Sequence, residues 1–150
     1  MLSTAASLFD PLGFLSPVLL IPTLIMEELC RLKLDWDDPA PENLQEKWLN
    51  WIGEMPLLRD HMISRCFRPD HASGESKTEL HYFSDASESA YGAVCYVKLC
   101  YEDGTSQVSF LIGKSRLAPI KLVTIPRLEL CAAVLSVRLH EIISKNWNFQ

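Results

Sequence analysis

Two acidic side chains stand where a solvated surface charge would not be expected. Asp85 ends the apolar, aromatic-rich run at the start of "HYFSDASESAYGAVCYV", and Glu129 lies in "IPRLELCAAVLSVRL". An unpaired carboxylate costs on the order of several kcal/mol to bury, so a strand that reads as buried does not end on Asp85 without cause. Two carboxylates a few ångströms apart repel. A hard cation such as Mg2+ relieves the repulsion, taking oxygen ligands together with water and substrate phosphate. Paired ions of this kind activate a water and stabilise the leaving oxygen of a phosphodiester. Lys114, Arg116, Lys121 and Arg127 lie between the two acids in sequence, and such cations neutralise backbone phosphates. Each residue also has a plainer reading. Asp at a strand end caps a turn, Glu in a first helical turn meets the helix dipole, and four cations over a dozen residues make a solvated loop. His61, His71, His81 and His140 read as structural or exposed. Ser84 and Ser87 flank Asp85, but no G-x-S-x-G elbow accompanies them.

The elements that must position the acids follow from periodicity. From Thr78 the period is two: Leu80, Tyr82 and Ser84 alternate with His81, Phe83 and Asp85. Ala93, Cys95, Val97 and Leu99 then alternate with Val94, Tyr96 and Lys98, and Val108, Phe110 and Ile112 continue a third strand beyond the Asp103-Gly104 hairpin signal. A three-stranded antiparallel meander is predicted. After the basic, extended stretch "GKSRLAPIKLVTIPRLEL", Thr124 caps and Pro126 opens a helix to about Lys145. Its apolar stripe is Leu128, Cys131, Leu135, Leu139 and Ile142. Glu129 falls in the first turn, on a line with Ala132, Ala133 and Ser136, whose small side chains allow close approach to the sheet.

Upstream the pattern is helical. Ser16-Pro17 starts a helix with Val18, Ile21, Ile25, Leu29 and Leu32 on one face, and Pro22 is expected to kink it or delay its start. Asp37, Asp38 and Pro41 introduce a second helix striped by Leu44, Trp48, Trp51, Ile52 and Met55, stopped by Pro56. Asp37 and Asp38 read as turn and cap residues rather than metal ligands. The expected organisation is a helical segment over 1–58, a linker over 59–77 and a sheet-and-helix region over 78–150. The fold class is mixed α+β.

The totals set outer bounds. The chain has 150 residues and a formal net charge of −5, so any nucleic-acid affinity must come from a local basic patch. Five cysteines without a C-x-x-C pair favour reduced thiols over a disulfide framework. Cys66 and His71 lack the second pair that a zinc site needs. The uncharged run Leu12 to Met26 holds Gly13, Pro17 and Pro22, follows no Lys or Arg, and falls short of the roughly 18–20 residues that span a bilayer. It reads as a buried helix. No membrane association or secretion is expected, and an intracellular protein, cytoplasmic or nuclear, is.

"YFSDASESAYGAVCYV" resembles the opening strand pair of the ribonuclease H fold, and "IPRLELCAAVLSVRL" resembles its first helix, whose early Glu is the second catalytic acid. The order DPLG, WDD, SDAS and PRLEL is similar to a narrower group, the Pao (BEL/Pao) class of long-terminal-repeat retrotransposon polyproteins. There "FDPLGFLSPVLLIPTLIMEELCRLKLDWDDPAPENLQEKWLNWIGEMPLL" resembles the segment joining the reverse-transcriptase palm to the ribonuclease-H-like domain. The resemblance implies that Asp85 and Glu129 are the first two metal-binding acids, with Mg2+ as cofactor. It also implies that Arg127 and the basic stretch before it lie near an RNA–DNA hybrid whose RNA strand is hydrolysed. The family's third and fourth acids are expected beyond Gln150, which makes the chain a slice of a polyprotein carrying the N-terminal half of that domain and inactive or nearly so in isolation. The alternative is a non-catalytic connection, or a retained module that binds nucleic acid or protein. An open sheet edge would favour self-association, or cover by the remainder of the polyprotein.

Overall fold

Pro22 lies inside the first long helix and removes one backbone donor, which leaves the carbonyl four residues earlier without an intrahelical partner. That carbonyl is Val18 O, and the indole Nε1 of Trp51 donates to it at 2.9 Å. One contact thus completes a broken ladder and satisfies a Trp N–H at the same time. The computed structural model describes residues 1–35, 37–64, 66–67 and 76–147, without the side chains of residues 2 and 76. Its helices are α1 (Leu2–Ala6), α2 (Ser16–Arg31), α3 (Glu42–Glu54) and α4 (Ile125–Asn146), and its strands are β1 (Ser76–Ala86), β2 (Ala90–Tyr101) and β3 (Ser106–Leu117). The architecture is mixed α+β, as the periodicity predicts. Of the expected linker, residues 65 and 68–75 lie outside the described residues, as does His71 of the Cys66–His71 pair.

The chain divides into two units: residues 1–11 with 15–63, and residues 12–14 with 64–150. In the first, Ile25, Leu44, Trp48 and Trp51 form the core, with the two indoles 5.0 Å apart between ring centroids. Helix α2 starts at Ser16 and continues through Pro22 to Arg31, so Pro22 does not delay its start, and Trp51 replaces the lost donor. Helix α3 ends at Glu54, just before Pro56, as expected, and a 3-10 turn follows over Met55–Asp60. The expected stripes are also narrower than read, since Ile21, Leu32 and Ile52 are exposed. Asp38 serves a turn, its Oδ2 accepting from Asp35 N at 2.8 Å.

In the second unit the sheet order is β1-β2-β3, both pairs antiparallel. Helix α4 packs on one face, here the inner face, against Ala93, Cys95, Leu111 and Ile112. The four β2 residues predicted to face one way, Ala93, Cys95, Val97 and Leu99, are all buried. The β2–β3 hairpin is built as its sequence predicts. Gly104 takes φ +84°, and Asp103 Oδ1 accepts from Thr105 N and Oγ1.

Strict alternation fails on β3. A bulge beside Cys95 and Tyr96 pairs Cys95 with Ile112 but Tyr96 with Phe110, so Leu111 is an extra residue. Phe110 therefore faces outward, Ile112 faces inward and Leu111 joins the core. The outward Phe110 ring meets Phe14 at 4.3 Å, and Gly113 N donates to Leu12 O at 2.8 Å. The front of the apolar run read as helix, Leu12 to Phe14, is instead a strap across the sheet's outer face.

On α4 the buried residues are Leu128, Ala132, Leu135, Leu139 and Ile143. Cys131 and Ile142, expected in the stripe, are exposed. Both patterns fit helical spacing, and Ala132, fully buried, decides between them: its methyl lets the helix backbone approach the sheet at that point.

Candidate functional site at the end of the sheet

Asp85 is the penultimate residue of β1, opposite Gly92 of β2, which is in turn opposite Ser115 of β3. The chain then turns through Ser87, whose Oγ accepts from Ala90 N at 3.1 Å. Asp85 itself accepts from Ala86 N at 2.9 Å through Oδ1, so the plainer turn-forming role engages one carboxylate oxygen. Glu129 is the fifth residue of α4, because the helix begins at Ile125, one residue before the predicted Pro126. This places it just past the first turn and removes the helix-dipole explanation for it.

The helix direction decides where Glu129 goes. Tyr82 Oη and His140 Nδ1 lie 3.0 Å apart. From His140 back to Glu129 the helix axis covers about 16 Å, and from Tyr82 on to Asp85 the strand covers about 10 Å. Further along, Tyr91 (the partner of Ala86) and Arg116 share a groove with Cys131 and Val134. Both acids are thus carried to the same end of the sheet. They do not arrive on the same layer. By alternation Asp85 belongs to the outer row with His81 and Phe83, whereas Glu129 rides on the helix that covers the inner row.

Both carboxylates are exposed and have no ion pair among the described residues. Two hard oxygen donors suit a hydrated Mg2+ ion, which keeps several waters and takes one or two protein carboxylates. Among the described residues no group of three His, Cys, Asp or Glu side chains comes together. The donor chemistry suits a hydrated Mg2+ ion, but the two carboxylates stand on different layers and no third ligand joins them among the described residues, so the donor set falls short of a two-ion centre.

The four cations are spread apart. Lys114 and Arg116 lie on β3, opposite Ala93 and Tyr91. Lys121 is exposed in the loop before α4, and Arg127 is exposed in the first turn, its backbone N donating to Thr124 O at 2.9 Å. Two side chains absent from the sequence reading join Arg116: Tyr91 and Arg138 line the same groove between β2–β3 and α4. Deeper in the unit, burial raises the Tyr82 phenol well above its ordinary range, with the neighbouring Cys95 thiol adding to the effect. Burial likewise raises the Cys95 thiol, which leaves it a packing residue rather than a nucleophile. None of the five cysteines is bridged.

A family model, the Pao retrotransposon-like RNaseH-like domain, matches residues 1–150. The chain belongs to that family. Comparison with curated proteins gives no match, and neither does comparison with solved structures. A Pao RNaseH-like chain is thus a retroelement product by descent, and the helical first unit is covered by the match together with the sheet unit. No helix among the described residues is long and apolar enough to cross a membrane.

Proposed function

We propose that this Pao RNaseH-like chain contributes to metal-dependent hydrolysis of the RNA strand of an RNA–DNA hybrid, within the reverse-transcriptase and ribonuclease H region of a retrotransposon polyprotein. One observation carries the reading: two exposed carboxylates without ion-pair partners among the described residues, Asp85 and Glu129, are carried to one end of the sheet, on its two layers. Asp85 and Glu129 would hold Mg2+, which when bound activates water and stabilises charge on a phosphodiester. The residues around them have simpler work. Gly92, opposite Asp85, presents no side chain beside the carboxylate. Ser87 fixes the turn that follows the strand just past Asp85. Arg127 stands two residues before Glu129 and suits a phosphate of the hybrid backbone.

The test is cleavage of a labelled RNA–DNA hybrid by the purified chain with Mg2+. Weak cleavage that disappears in Asp85→Asn and in Glu129→Gln is expected. Robust cleavage surviving Asp85→Asn would overturn the site assignment. A second reading, a non-catalytic module that binds nucleic acid, is favoured by the absence of a third clustered ligand among the described residues. Hybrid binding that falls with salt but ignores both Mg2+ and Glu129→Gln would select it.

A further inference from the structure

The groove between α4 and the β2–β3 ladder has a volume of about 240 Å³ and is lined by Tyr91, Arg116, Cys131, Val134 and Arg138, among others. Arg116 comes from a strand and Arg138 from a helix, so their convergence is a product of the tertiary fold. Neither has an ion pair among the described residues. Two planar guanidinium groups lining one groove with no carboxylate in its lining suit an anion, and the fork geometry of Arg suits the oxygens of a phosphate. Lys114 lies two residues before Arg116 on the same strand, hence on the same inner face. The two are about 6.6 Å apart along the strand, close to the separation of successive phosphates on an extended nucleic-acid strand. The remaining walls are a phenol ring, the Cys131 thiol and aliphatic side chains. The groove is smaller than the roughly 300–1,000 Å³ of ordinary ligand pockets, so it suits one small unit of a chain rather than a whole ligand.

We propose that this groove binds single-stranded nucleic acid, with one phosphate held between Arg116 and Arg138, the next toward Lys114, and a base laid against Tyr91. Stacking on an aromatic ring beside a cationic track is the usual means of gripping a strand without reading its sequence. Through Leu130, which also lines the groove, the site lies one residue from Glu129, yet it uses neither of the two acids. A strand leaving the hybrid would be held beside them.

Fluorescence anisotropy of a labelled mixed-sequence RNA 12-mer with the whole 150-residue chain tests this. Arg116→Gln with Arg138→Gln should weaken binding about tenfold or more and reduce the slope of log affinity against log salt by about 1.4, the loss of two phosphate contacts on a single strand. Lys47→Gln with Lys145→Gln removes the same charge elsewhere and should change affinity less than twofold. Tyr91→Leu should weaken binding while leaving the salt slope intact, which a purely electrostatic site would not do. Both arginines are exposed, so circular dichroism and thermal unfolding of the double variant should match the parent and exclude misfolding as the cause. Absence of binding by the parent, or equal losses in the two double variants, overturns the proposal. So does capture of a phosphopeptide by the same arginines with no affinity for RNA. The RNA-binding assay contains no Mg2+ and no hybrid, so failure of the hydrolysis reading and failure of this groove are separate results.

Discussion

At the residue scale, Asp85→Asn and Glu129→Gln change charge with little change of shape at exposed positions. Each should therefore leave stability within about 0.5 kcal/mol of the parent while removing Mg2+-dependent cleavage. Thermal unfolding and the hybrid assay on the same preparations check both halves. The raised Tyr82 phenol gives a pH prediction with a definite sign. The folded state holds that proton above the ordinary value of 10.0, so the associated stability is complete below pH 10 and declines as pH rises beyond it. Tyr82→Phe should flatten this alkaline limb, and should cost about 1 kcal/mol at neutral pH through loss of the His140 contact. Glu79 behaves oppositely. Hydrogen bonds from Lys77 and His81, then the charges of Lys77 and Lys98, hold its carboxyl below the ordinary 4.5, so its contribution is present above that value and fades as pH falls through the lowered one. The two acids were visible in the sequence because a strand end and a helix start are local signals. Arg138 and Tyr91 were not, since Tyr91 meets Arg116 through a β2–β3 register that the bulge resets, and Arg138 joins them only when α4 is laid over the sheet.

At the element scale, α2 depends on a residue 33 positions beyond its interrupted turn. Trp51→Phe keeps most of the ring volume but orphans Val18 O again, and should cost about 1–3 kcal/mol, measured by urea unfolding. Gly92→Ala probes the sheet end. A Cβ there would lie 3.3 Å from Lys114 O, a backbone atom of the ladder with little freedom to yield. A loss of about 1 kcal/mol is expected, together with disturbance of Asp85 across the pair. Periodicity located the three described strands and helices α2, α3 and α4, because binary pattern is a local property. It could not see the β3 bulge, since one extra residue reverses the faces without changing the composition of the strand. Nor could it separate the two stripes on α4, where Ala132 against Cys131 is decided by backbone approach rather than hydrophobicity.

At the scale of the whole molecule, β1 pairs on one side only among the described residues, along 11 residues that include the exposed Phe83. An unpaired edge of that length is a template for another strand, so concentration-dependent self-association is expected in sedimentation velocity, and Phe83→Lys should reduce it. The three-residue strap carries a different consequence. Because residues 12–14 count with the sheet while their flanks on both sides count with the helices, no single cut yields two intact halves. A protein shortened to begin at residue 76 would strip Phe14 from Phe110 and leave Gly113 N without Leu12 O. Cleavage anywhere between residues 64 and 75 would sever the chain yet leave the sheet's own outer clasp on the other fragment.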